Sequence, residues 1–153
     1  MKNLRTLAVL AALMMSMNLS AQQKPETTKP YQGAVASNKI YRAAYELNSG
    51  DEMKITSTLK NIKNALEDPR LVGKLKVELV VHGEGVAVFK KDSSYEPQLL
   101  ELKEKGVLLV QCENSIRKRN IKKEELFSFV SYVPSGNAEL IILHDQGWAI
   151  IHP

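Results

Sequence analysis

The sequence predicts an α/β fold: a three-layer, doubly wound, mainly parallel five-stranded sheet of flavodoxin-like class. Three observations carry that prediction. Along residues 39–153, apolar alternation of period two takes turns with helical spacing of about 3.6 residues. The strand segments turn wholly apolar toward their ends, as strands buried on both faces do. Helices separate the strands, which calls for right-handed crossovers and parallel pairing. For five strands the order expected by analogy is 2-1-3-4-5.

The elements follow in order. Residues 39–47 read as a strand closed by the turn Asn48-Ser49-Gly50-Asp51. Met53, Ile55, Leu59, Ile62 and Leu66 mark a helical face, with Ser49 or Asp51 as its cap and Pro69 at its end. Residues 74–81 form the second strand. The apolar segment 86–89 precedes a helix near 95–105 that stops at Gly106. A buried strand over 107–111 ends at Cys112, followed by a polar helix at 113–119 and a short one at 122–127. Residues 129–133 are a strand, 137–145 a helix and 148–151 the last strand.

The chain has 153 residues and one cysteine, which excludes an intrachain disulfide framework and a multi-thiolate zinc site. Lys2 and Arg5 precede an unbroken apolar run from Leu7 to Met15 and then small residues to Ala21, the pattern of an export signal cleaved near Ala21. The run is shorter than the roughly 20 apolar residues that span a bilayer. Residues 1–21 are therefore expected to be a signal peptide, residues 22–38 a flexible leader, and the mature protein periplasmic or secreted, without a membrane span. Cleavage removes two basic residues and no acid, leaving 19 basic against 17 acidic side chains, a net of +2. So small a surplus argues against nucleic acid as a partner.

In open α/β sheets, ligands bind beyond the carboxyl ends of the strands. Asn48 follows the first strand, His82 the second, Cys112 and Asn114 the third, and Ser135 the fourth. Cys112 has two readings. At a helix N-terminus the thiol is favoured as a reactive thiolate, with Arg117 able to add positive potential; as a small buried hydrophobe it is merely structural. His82 reads either as a base paired with the thiol or as a loop anchor. The expected strand order separates the second and third strand ends by roughly 10 Å and so favours the anchor. His144 and His152 read as surface or structural groups. Three scattered histidines give no metal-ligand spacing, and no glycine-rich phosphate cradle or serine elbow is present, so neither metal nor cofactor is expected.

Four segments resemble the DsrE/DsrF-like family: residues 79–86 around His82-Gly83-Glu84-Gly85, residues 106–114 ending Gln111-Cys112-Glu113-Asn114, residues 133–137 with Pro134-Ser135-Gly136, and the ending at residues 146–153. The resemblance covers residues 39–153. It implies a flavodoxin-like fold, a homotrimer or homohexamer, and a cysteine at the Cys112 position that receives sulfane sulfur as a persulfide and passes it on. The donor and acceptor are not named by it. Two other functions remain open from the residues: an oligomeric small-ligand-binding protein with a structural cysteine, and a thiol redox sensor.

Overall fold

A computed structural model describes residues 30–153, and one compact unit begins at Val35. The export signal expected at residues 1–21 lies outside the described residues, as does the leader up to residue 29. The unit starts inside the expected leader, where the Asn38 N–H donates to the Tyr41 hydroxyl and ties the segment to the first strand.

Five strands form one sheet: β1 (Tyr41–Leu47), β2 (Leu75–Val81), β3 (Leu108–Cys112), β4 (Ser131–Val133) and β5 (Ala149–Ile151). All four pairings are parallel. Between them lie α1 (Glu52–Glu67), α2 (Glu96–Glu104), α3 (Glu113–Lys118) and α4 (Gly136–Asp145), with 3-10 turns at Gly83–Phe89 and Lys123–Glu125. The Asp51 carboxylate caps α1 by accepting the Lys54 N–H at 2.9 Å. Ile55, Leu59 and Ile62 turn inward, but Met53 is exposed. Two residues apart on a helix, Met53 and Ile55 point in nearly opposite directions, so they cannot share the buried face.

The α/β class with helices on both faces is the one expected, and it is consistent with a flavodoxin-like fold. The strand order is not. The sheet runs β4-β3-β2-β1-β5, which makes β2 and β3 neighbours and puts β5 on the far side of β1. The chain steps in one direction from β1 to β4, so α1, α2 and α3 cover a single face. There they enclose the main core of Tyr45, Leu79, Leu109, Phe89 and Leu126. α4 alone turns back, and reversing direction moves a right-handed crossover to the opposite face. It lies over the fully buried Ala44 and Val80 with Leu143, Trp148 and Ile150. A side chain as small as Ala44 lets α4 cross β1 closely and deliver the chain to the outer edge of that strand. Periodicity carries no record of that step, and the analogy supplied the wrong order.

Candidate functional site

The loop after β2 ties three strand ends together. The His82 N–H donates to the Leu47 carbonyl at 3.0 Å and the Glu84 N–H to the Asn48 carbonyl at 3.1 Å, both at the end of β1. The Gly83 N–H reaches the Ser115 hydroxyl on α3 at 2.9 Å. A Cβ at position 85 would come within 2.3 Å of the Leu47 carbonyl oxygen, so only glycine permits this approach. Beside β3, the Asn114 N–H donates to the Pro134 carbonyl at 3.3 Å and holds the β4–α4 turn against α3.

Cys112 is the last residue of β3 and the N-cap of α3, and it is 4% exposed. Its thiol makes no close cap hydrogen bond, yet the groups around it are arranged for an anion. Burial pushes the thiol pKa up. The Ser115 hydroxyl, followed by the N–H groups of Gly136, Ser115 and Asn114, outweighs burial and brings the pKa below its ordinary value. Cys112 thus lies where α3 begins and beside the first residue of α4. The Gly83 N–H donates to the Ser115 oxygen and holds that hydroxyl in place. Gly136 is as close as it can be: a Cβ there would lie 3.0 Å from His82 Cβ and 3.3 Å from Cys112 Cβ.

His82 thus sits beside Cys112. The register pairs Val81 with Gln111, so the next residues, His82 and Cys112, are lateral neighbours. The wide separation expected from the analogous strand order is corrected by the adjacency of β2 and β3. His82 Nε2 lies 2.6 Å from Glu46 Oε1. Asn48 Nδ2 also donates to that oxygen, at 3.3 Å, and His152 Nδ1 meets Oε2 of the same carboxylate. Burial raises the Glu46 pKa, but the hydrogen bonds and charges of His82 and His152 more than offset it, and the carboxylate is held below its ordinary range. An ionised carboxylate only accepts, so both imidazoles donate to it, which fixes the proton on His82 Nε2 and on His152 Nδ1.

The other expected residues take different parts. Ser135 caps α4 by accepting the Ala138 N–H at 3.4 Å, which presents the Gly136 N–H to the sulfur without the serine side chain acting on it. Asn114 contributes its backbone N–H, while its side chain accepts from Arg117 at the surface. Arg117 is exposed on α3, where it donates to the Asn114 side-chain oxygen. Glu46, Ser115, Gly136 and His152 were missed. Ser115 has a legible signal, a hydroxyl three residues after a helix cap. Glu46 has one too, as an acid one step short of an apolar strand's end. Among the described residues, no group of three or more His, Cys, Asp or Glu side chains is placed to hold a metal ion. No helix among them is long and apolar enough to cross a membrane. An open groove between α1 and α2, lined by Leu59, Lys63, Gln98 and Leu102, shares no residue with the strand-end set.

Comparison with known proteins adds to this geometry. The model of the DsrE/DsrF-like family matches residues 35–153. Among solved structures, the chain is similar to a protein of unknown function from Methanobacterium thermoautotrophicum, at 28% identity and a TM-score of 0.69, over 74% of this chain and 99% of that one. A conserved protein of unknown function from Bacteroides thetaiotaomicron shares the fold at 11% identity and a TM-score of 0.61, over 79% of this chain and 100% of that one. No curated protein matches the chain.

Proposed function

Because the chain belongs to the DsrE/DsrF-like family, a family generally linked to sulfur relay, we propose that it is a sulfur carrier in which Cys112 accepts sulfane sulfur as a persulfide. The observation that carries the reading is the placement of Cys112, which ends β3 at the start of α3 and lies against Gly136 at the start of α4, where the Ser115 hydroxyl and backbone N–H groups bring its pKa down. Thiolate is the nucleophile in such exchange. The Cys112 thiolate attacks the outer sulfur of a donor persulfide. The donor's S–S bond breaks, the donor leaves as a thiolate with the electron pair, and Cys112 holds the terminal sulfur. A thiol of the acceptor then takes that sulfur by the same displacement. The chain has one cysteine, so no internal disulfide can form and the acceptor must be another molecule. A one-atom cargo suits a sulfur that is 4% exposed.

The test is direct. After incubation with glutathione persulfide, the intact mass of the protein gains one sulfur, and Cys112→Ser abolishes the gain. A wild-type protein that takes up no sulfur refutes the proposal. The competing reading, a structural cysteine, draws on the burial of Cys112, and an ultraviolet titration of the thiolate separates the two.

Two further parts belong to the proposal. The homo-oligomer implied by the family has support in α4, whose outer side chains Ile141 and Ile142 are exposed although the helix is largely apolar. A signal at residues 1–21 would place the sulfur chemistry outside the cytoplasm, and N-terminal sequencing of the exported protein checks for a start at Gln22.

A further inference from the structure

We propose that Glu46, His82 and His152 form an acid–base relay beside Cys112 that protonates the thiolate leaving the sulfur donor. This rests on the persulfide reading above and extends it from the nucleophile to the leaving group. Three titratable side chains from the ends of β1, β2 and β5 meet on one carboxylate. The Glu46 side chain is 12% exposed, and its two oxygens are divided between two imidazoles, Oε1 with His82 and Oε2 with His152. The His82 side chain is 18% exposed, and its Cβ and the Cys112 Cβ pack against the same glycine. Holding a buried carboxylate with two nitrogen donors orients both rings. With Nε2–H given to Glu46, the proton His82 can exchange is the one on Nδ1.

The step balances. The Cys112 thiolate attacks the outer sulfur of a protonated donor persulfide, R–S–S–H. The donor's S–S bond breaks, and the electron pair leaves on R–S⁻. Protonated His82 gives its Nδ1 proton to R–S⁻, forming R–SH. The new persulfide, Cys112–S–S–H, then returns a proton to the neutral imidazole and stands as the anion ready for transfer. No oxidant or reductant is needed, because the sulfane sulfur moves at constant oxidation level. His82 is the catalytic residue in this scheme, and Glu46 and His152 are positioning residues that keep its ring in register and balance its charge. The groups facing His82 are Glu46 on β1, Asn48 after it, Cys112 on β3 and Gly136 on α4; His152 reaches it only through Glu46.

The experiment compares wild type with His82→Ala, Glu46→Gln and His152→Gln in the full chain. Single-turnover sulfur uptake from glutathione persulfide is followed by intact mass, and the thiolate is titrated separately by its ultraviolet absorbance. All three variants retain Ser115 and the backbone groups that stabilise the thiolate, so in each the native midpoint stays below that of its own unfolded chain. Uptake falls about 100-fold in His82→Ala, the usual range for loss of general acid catalysis, and added imidazole restores part of it. In Glu46→Gln, uptake at saturating donor falls about 10-fold while the donor concentration for half-maximal uptake stays as in wild type. His152→Gln shows a smaller change in the same direction. Should His82→Ala unfold, His82→Gln replaces it. Wild-type uptake rates in Glu46→Gln, or a fall that follows the thiolate titration, overturn the relay and leave the carrier reading standing. Absence of any uptake in wild type overturns both.

Discussion

A methyl group at position 136 would stand 3.0 Å from His82 Cβ and 3.3 Å from Cys112 Cβ, tighter than ordinary packing. Gly136 therefore does at the residue scale what no polar side chain does, bringing a helix N–H onto the sulfur. In Gly136→Ala, the start of α4 must lift, and the thiolate loses one of its N–H groups. A hydrogen bond to a charged group contributes about 1.5–3 kcal/mol. Its loss lowers the thiolate fraction at neutral pH by about 10- to 100-fold, measured as a shift of the ultraviolet titration to higher pH with the fold retained. Cys112 was legible in the sequence because an apolar strand ended at a lone thiol. Gly136 was not, because its importance is a distance between α4 and two strands, and no local pattern encodes that. The same holds for His152, which acquires its partner only when β5 is laid beside β1.

At the scale of elements, the strand order decides the environment of Glu78. Polar residues 76 and 78 alternate with apolar ones, which in isolation reads as one solvated side of a strand. In the folded sheet β2 is central, and Glu78 is 4% exposed, with Oε1 lacking a hydrogen-bond partner. Burial, with the Glu139 carboxylate on α4 as a smaller cause, pushes its pKa up from 4.5 to about 7. Between those values the folded chain binds more protons than the unfolded chain, so stability falls as pH rises through that window and levels off above it. Glu78→Gln removes the slope. The variant is expected to exceed wild type by about 1–3 kcal/mol at pH 8 and to match it near pH 4.5, read from urea unfolding at both pH values. The elements themselves were legible: each strand and helix lies within a few residues of its expected span, since periodicity reports which faces are buried. The order of strands was not, because α4 is the one connection that turns back, and that turn depends on a small residue, Ala44, beneath it.

For the whole molecule, one face of the sheet is covered by α1, α2 and α3 and the other by α4 alone. Leu108 on that second face is 48% exposed, and Ile141 on α4 is 70% exposed. Apolar surface of this kind is what a second copy covers in an oligomer. Light scattering of the full chain is expected to give a multiple of the single-chain mass that Ile141→Lys reduces; a monomeric wild type contradicts the oligomer. The strand ends that carry the site, in contrast, all belong to one sheet. The proposed function therefore depends on the state of one sulfur atom. The decisive measurement is the ultraviolet titration of the Cys112 thiolate in the native protein, with Cys112→Ser subtracted to remove the tyrosines. The fold predicts a midpoint below that of the same chain unfolded in urea, because Ser115 and three backbone N–H groups favour the anion over burial. A native midpoint at or above the unfolded one would make Cys112 a structural residue and contradict the sulfur-carrier function.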